Sequence, residues 1–396
     1  MHDGDERRRL GHGSSIATDA DKAARECVQE ALGGRNPESA DLMVVFPSVE
    51  YDPHVFFSAA ADAAAPAQVV GCSSHAGFVS GNSGAMDAVA IYLPADDLSF
   101  GIAAVAPIGT AVFACAQEVT TRARERAGDQ GDHAVLLVLS DGLAGDQREI
   151  VRGSYSVTGA TVPLVGAAAS DDLSMSGTYQ FAEGEVMSNG LIAVWINAPY
   201  PLGIGVEHGW HPIGEPMVVT RAEGNVIHEL DGRPAAEVYL FQRSTDPAPA
   251  QNYGSPERTF AADTFNHPLG LANASGRLDG RHILGRTDEG ALIMFGHVSE
   301  QSVVQVMAGD ADDLVRAAGR AAAQAAEQLD RPSRGALIFS CTGRIAPLGA
   351  QVAAETAAIS AGLGDVPVAG FFTFGEFARV TGSTGFHNAT VVVLAV

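Results

Sequence analysis

The sequence predicts an α/β fold: mixed β-sheets flanked by helices, built from three related strand-helix-strand-strand units in two halves. Apolar runs of strand length alternate with Ala-rich stretches of helix length, the pattern of strands joined by crossover helices. The pattern occurs three times, beginning near Leu42, Val135 and Gly335. Each copy carries a glycine in its second strand, at Gly71, Gly166 or Gly370, and closes with a further apolar strand at 86–93, 189–196 or 389–396. Three widely separated copies are too few for a solenoid and point to duplication inside a globular architecture.

In chain order, residues 1–14 read as a flexible polar tail. Asp19 to Leu32 places Ala23, Ala24, Cys27, Val28 and Ala31 at helical spacing and stops at Gly33-Gly34. The first unit runs from Leu-Met-Val-Val-Phe-Pro-Ser (42–48) to Ala-Gln-Val-Val-Gly-Cys-Ser-Ser-His-Ala-Gly-Phe (67–78). Phe100 to Val105 reads as a strand, and 110–126 as a helix whose basic end complements its dipole. The second unit joins Val-Leu-Leu-Val-Leu-Ser-Asp-Gly (135–142) to Val-Pro-Leu-Val-Gly-Ala-Ala-Ala-Ser-Asp-Asp (162–172). Two adjacent carboxylates, Asp171 and Asp172, make only a weak cation signal. Around His208-Gly-Trp-His211, Gly209 and Pro212 argue for a turn anchored by Trp210 and against a helix. Val218 to Leu230 reads as a strand pair turned at Glu223-Gly224-Asn225, and Asp231 to Pro234 starts a short helix. Residues 242–268 read as a polar loop, a lid, a binding loop or a disordered insertion, expected to be more mobile than the repeats and to move when ligand binds. Strand-like runs resume from Arg286 to Met307, an Ala-rich helix follows at 310–329, and the third unit closes the chain.

Composition narrows the function. The chain has 396 residues, a formal charge of −23 and 46% apolar residues, which suits a large core and disfavours phosphate-based nucleic-acid binding. Lys22 is the one lysine and lies in a polar segment, so a buried Schiff-base lysine is not expected. No P-loop, Gly-x-Ser-x-Gly elbow or dinucleotide fingerprint occurs. Cys27, Cys72, Cys115 and Cys341 are far apart and form no Cys-x-x-Cys pair, so neither a zinc site nor a disulfide framework is expected. The charged start has no apolar signal core behind it and no run of about 18 apolar residues occurs, which leads to an expectation of a cytoplasmic protein without membrane insertion.

Ligands of open α/β sheets bind beyond the carboxyl ends of the strands, so the loops there supply the candidate site residues. In the third unit these are Cys341, Thr342, Gly343 and Arg344, then Gly370, Phe371, Gly375 and Glu376, then His387 and Asn388 at the last strand. In the first unit they are Cys72, Ser73 and His75; in the second, Asp141, which either caps a helix or meets a ligand. The polar residues gather in the third unit, so the principal pocket is expected between 341–347, 370–377 and His387. There Arg344 would hold a carboxylate and Glu376 an amine; the competing reading is an Arg344–Glu376 salt bridge joining two loops.

Five motifs carry a resemblance: Gly-Cys-Ser-Ser-His-Ala-Gly near 71, His-Gly-Trp at 208–210, Ser-Cys-Thr-Gly-Arg at 340–344, Gly-Phe-Phe-Thr-Phe-Gly-Glu at 370–376 and Phe-His-Asn-Ala-Thr at 386–390. Together they resemble the FIST proteins, predicted sensory proteins with an N-terminal and a C-terminal FIST region, here 15–200 and 201–396. The resemblance implies a non-catalytic sensor of a small molecule, such as an amino acid or similar anion or zwitterion. Its output would pass to a separate partner such as a histidine kinase or cyclase, since no output motif is present. Some FIST proteins sense nitric oxide through bound haem, which the resemblance keeps as an alternative; c-type attachment is excluded because Cys-x-x-Cys-His is absent. A further alternative is an enzyme using Cys341 as nucleophile, its thiol activated between a strand and a helix start.

Overall fold

The computed structural model describes residues 9–82, 85–128, 130–246, 260, 263–273, 276–379 and 385–396, and its fold is mixed α/β as the sequence predicts. The three units repeat one order of elements. The first comprises an edge strand Gly11–Ser15, helix Ala20–Leu32, central strand Leu42–Pro47, helix Pro53–Ala64, parallel strand Gln68–Cys72, outgoing strand Gly77–Val79 and closing strand Ala88–Leu93. The second runs Ser99–Val105, Val112–Ala127, His133–Ser140, Gln147–Thr158, Leu164–Ala168, the outgoing pair Gln180–Ala182 and Glu185–Met187, and Leu191–Ala198. The third runs Gly203–Glu207, Ala311–Ala326, Ala336–Cys341, Val352–Gly362, Val368–Thr373, the outgoing pair Gly375–Arg379 and Phe386–His387, and Val391–Ala395.

Each outgoing strand joins another unit's sheet. Gly77–Val79 pairs with Val368–Thr373 of the third unit, Gln180–Ala182 with Gln68–Cys72 of the first, and Gly375–Arg379 with Leu164–Ala168 of the second. The exchange closes a ring: first to third, third to second, second to first. A parallel strand that would otherwise present an open edge is thereby paired in every sheet.

Period-two alternation in the central strands explains why both faces are apolar. Leu42, Val44 and Phe46, Val135, Leu137 and Leu139, and Leu337 and Phe339 all face one shared core. Their neighbours Met43 and Val45, Leu136 and Val138, and Ala336 and Ile338 instead face each unit's own helices. The repeated glycines have one cause. A Cβ at Gly71, Gly166 or Gly370 would fall well inside contact distance of the carbonyl oxygen of Val45, Val138 or Ile338 on the adjoining parallel strand.

Between the edge strand and first helix of the third unit lies an insert. Its sheet runs in the order Leu278–Arg281, Leu269–Ala272, Val303–Ala308, Met217–Glu223, Val226–Leu230, Leu292–Met294 and Ile283–Arg286. The first and last strands of that order are separated in sequence by His282 alone, so the sheet curls back on itself around Met217, Leu230, Leu292 and Val306. Helix Ala235–Arg243 packs on this core through Tyr239.

One expectation needs correction. Part of the supposed tail, Gly11–Ser15, is a strand paired with Ala88–Leu93. It has no apolar pattern because Gly11 and Gly13 lie directly against the backbone of Ala31 and Cys27 on the neighbouring helix. Of the polar loop 242–268, residues 247–259 and 261–262 lie outside the described residues. Its described flanks are tied together: Arg243 Nε donates to Asp263 Oδ2 at 2.8 Å, and His267 Nε2 meets Asp246 Oδ2 at 2.9 Å.

Gly370→Ala is expected to cost about 2–3 kcal/mol of stability, because the added methyl forces two paired strands apart. Gly285→Ala, at a strand position with nothing within reach of the new Cβ, is expected to stay within about 0.5 kcal/mol of wild type. Equal denaturation midpoints for the two variants would refute the close-approach explanation.

Candidate functional site

The third-unit candidates are gathered together and, apart from the half-buried His387, sealed. Arg344, 0% exposed, donates from Nε and Nη2 to Glu355, from Nη1 to the His208 carbonyl at 2.6 Å and from Nη2 to the Leu314 carbonyl at 3.1 Å. Ser340 Oγ donates to the other Glu355 oxygen at 3.0 Å. The partner of Arg344 is therefore Glu355 on the following helix, in place of Glu376. Sequence spacing did not single out Glu355, although it is the one charge in that Ala-rich stretch.

Glu376 accepts hydrogen bonds from Thr373 Oγ1 and from Thr390 Oγ1 and N. Burial pushes its carboxyl up to about 7, against the opposing effect of those bonds. Gly343 lies under His282 of the insert, where any Cβ would collide with the imidazole. Thr342 opens the short turn Thr342–Arg344 and is buried, as is Cys341, whose thiol burial pushes well above its ordinary value. That shift is opposite to the activation a nucleophile needs.

Gly370 belongs to the strand approach described above, and Phe371 stacks on Phe46 in the shared core at 4.3 Å between ring centroids. Gly375 leaves room for the Phe386 ring. His387 Nε2 meets the Ala378 carbonyl at 3.1 Å, and Asn388 Nδ2 donates to the Phe374 carbonyl at 3.2 Å. The backbone of Asn388 is covered by Gly280 of the insert. The expected pocket between these loops is thus occupied by residues 278–283 of the insert.

The candidates in the first two units hold the ring together. Ser73 Oγ donates to the Ser170 carbonyl and accepts from Tyr179 N, while Ser170 Oγ accepts from His75 N and donates to the Phe372 carbonyl. These bonds link all three units where the outgoing strands cross. Cys72 is buried in the shared core. Asp141 accepts from Leu143 N at 2.8 Å and Asn189 N at 2.7 Å, fixing the turn after the central strand. The helix cap is supplied instead by Asp146, which accepts from Arg148 N.

That second-unit turn lines open space. Residues 142–148 form one wall of a cleft of about 360 Å³ whose opposite wall is the insert, with Arg281, Met294, Phe295 and His297. A second cleft of about 370 Å³ adjoins it, and both are lined by Arg148, Arg281, His297 and Phe386. The position accords with binding beyond the carboxyl end of a parallel strand.

Arg281 is the unusual group here. It is 7% exposed, yet its hydrogen bond is to the carbonyl of its own neighbour Gly280, and among the described residues no carboxylate lies within ion-pair distance. Burial lowers its pKa from the ordinary value, with Asp279 as the largest opposing charge. Arg148 is bound instead to Asp146, through Nη2 at 2.6 Å and Nε at 3.0 Å. Burial raises the Asp146 carboxyl, but its bonds to Arg148 more than offset this, so its pKa is lowered. Burial likewise lowers His297, whose buried Nδ1 has no hydrogen-bond partner among the described residues. Sequence reading missed Arg281 and His297 because their strand and loop show no glycine-rich strand end. Only the Asp141 turn gave a signal, and it belongs to the opposite wall.

The family matches divide the chain inside the insert, between residues 233 and 235. Residues 41–233 match the FIST N domain and residues 235–379 the FIST C domain. A Mycobacterium tuberculosis protein, described as uncharacterized, is 28% identical over 395 residues, covering 96% of this chain and 98% of its own. A Mycobacterium bovis protein of the same description is 29% identical over 238 residues, 57% of this chain and 58% of its own. One from Methanocaldococcus jannaschii is 28% identical over 162 residues, 39% of this chain and 31% of its own. Among the described residues no helix is long and apolar enough to cross a membrane.

Two sets of outcomes test the sealed residues. Arg344→Ala should cost about 3 kcal/mol or more, since it leaves Glu355 buried without its cation. Replacing Arg344 and Glu355 together by Met should recover much of that loss, read by denaturant unfolding. The second set concerns pH. Glu376, raised from 4.5 to about 7, contributes stability that is full below pH 4.5 and lost as pH rises through 7. His282, lowered by burial from 6.5 to about 4, contributes stability that is full above pH 6.5 and lost as pH falls through 4. Each contribution is of the order of 3 kcal/mol, with opposite slopes. Glu376→Gln should therefore make stability rise more steeply from pH 4.5 to 7, and His282→Leu should flatten the acid-side fall. Variant slopes equal to wild type would remove these assignments.

Proposed function

The chain belongs to the FIST family, and from that premise we propose that it is a non-catalytic sensor of a small organic anion or zwitterion, such as an amino acid. FIST domains are associated with sensory signal transduction and small-ligand binding. The observation that carries the reading is Arg281, a buried guanidinium with no carboxylate at ion-pair distance among the described residues, on the wall shared by two adjoining clefts. A carboxylate there forms charge-assisted bonds in a partly desolvated site, where they are stronger than in water.

Ligand held by Arg281 also touches the second-unit turn at Gly142 to Arg148, so it bridges the insert and the ring of units. It therefore favours the arrangement in which both walls are in reach, and a shift between arrangements is what a partner can read. The partner is a separate signalling protein, of the histidine-kinase or cyclase kind. Neither cleft is lined by a cysteine, and Cys341 is buried with a raised pKa, which supports binding over catalysis.

A haem-based reading has one observation in its favour. His297 lines a cleft that also carries Met294, Phe295 and two arginines, and its buried Nδ1 has no hydrogen-bond partner among the described residues. Haem bound there would supply gas-binding iron, with His297 as ligand and the arginines on its propionates. The cleft's 360 Å³ lies at the small end of ligand pockets, which favours a smaller molecule. A Soret band in the purified protein, lost in His297→Ala, would reverse that preference.

The test of the main reading is calorimetric titration of the full chain with a panel of carboxylates, amino acids and uncharged analogues. Arg281→Gln should weaken the best anion by about 2 kcal/mol, roughly thirtyfold, while the melting temperature is kept or raised. Unchanged anion affinity in that variant would move the site elsewhere.

A further inference from the structure

The first cleft has a character that a carboxylate alone does not explain. Leu143, Met175 and Leu284 line it while remaining 37%, 40% and 41% exposed. They come from three separate segments: the second-unit turn, the loop after Asp171 and the insert strand Ile283–Arg286. Beneath them, Met294, Phe295 and Phe386 complete an apolar wall. Converging exposed apolar groups around a concave site mark a surface that a ligand covers.

The fold holds one of these residues in place at a cost. Met175 has a left-handed backbone, φ 56°, as does Leu173, φ 71°. Asp171 keeps the loop there by accepting from the amides of Leu173, Met175 and Ser176. In this arm, among the described residues, no carboxylate is open to an ammonium group. Asp146 is engaged by Arg148, while Asp279 belongs to the adjoining cleft and is bonded by Asn273.

Resting on the sensor reading above, we propose that the ligand is a monocarboxylate with an apolar body, of the alkanoate or arylalkanoate class. Its carboxylate lies on Arg281, and its chain runs along Met294 and Phe295 to the mouth at Leu143, Met175 and Leu284. Met at two of these positions suits a wall that adapts to chains of different shape.

The experiment is titration of the full chain with straight-chain carboxylates from acetate to decanoate, with norleucine and hexylamine as head-group controls beside hexanoate. Affinity should rise about fourfold per methylene, the factor that corresponds to about 0.8 kcal/mol per buried CH₂, until the chain outgrows the cleft. Hexanoate should bind more tightly than norleucine, and hexylamine should not bind. Leu143→Ser with Met175→Ser, both at exposed positions, should flatten the chain-length series and leave acetate unchanged. Arg281→Gln should weaken all carboxylates by one common factor. If short carboxylates bind through Arg281 but affinity ignores chain length, or norleucine binds more tightly than hexanoate, this inference fails and the sensor reading stands. If no carboxylate or amino acid binds, the anion-sensor reading fails and takes this inference with it.

Discussion

The ring of exchanged strands is the constraint on which the rest of the structure depends. Each unit completes its neighbour's sheet, and the inner faces of all three sheets share one core. No unit can reach its full hydrogen-bonded sheet alone, because the strand beside its second parallel strand belongs to another unit. The crossing points are correspondingly polar and crowded: Ser73, His75 and Ser170 exchange bonds with Tyr179 and Phe372 where small side chains let three chains pass. Loops that resemble binding loops in sequence are, at this place, fasteners.

The insert acts on that ring by breaking its symmetry. Three equivalent turns follow the three central strands, but only the third receives the insert strand directly. Gly343 and Gly280 have no side chain, and this lets His282 and the Asn388 backbone approach them closely. Arg344 then ties the same turn to His208, where the insert departs, and to Leu314, just after it returns. With the third turn closed, the insert's outer edge overhangs the second turn and leaves a cleft between them. The candidate site follows from where the insert is anchored.

Charge is distributed to match. In a chain with 47 acidic residues and 24 basic ones, most arginines at the surface find a carboxylate. Arg281 is kept from that pairing by its burial and by the engagement of Asp146 with Arg148. A buried cation with no carboxylate at ion-pair distance among the described residues costs stability, and here it stands beside an open cleft.

The sequence by itself determined the repeated elements, because strand alternation, Ala-rich helices and the glycines at 71, 166 and 370 are local or near-local demands of backbone packing. It also determined the turn at Trp210, whose indole donates to the Ala389 carbonyl, and the helix starting beyond Asp19. Tertiary structure decided which sheet each outgoing strand joined, since a short apolar strand pairs equally well with any open edge of suitable register. It also decided the site. Arg344, Glu376 and His387 are polar residues at strand ends whether they face ligand or interior, and only the docking of 278–283 assigns them to the interior. Arg281 and His297 gain their meaning from a turn more than a hundred residues away, and spacing along the chain carries no record of that distance.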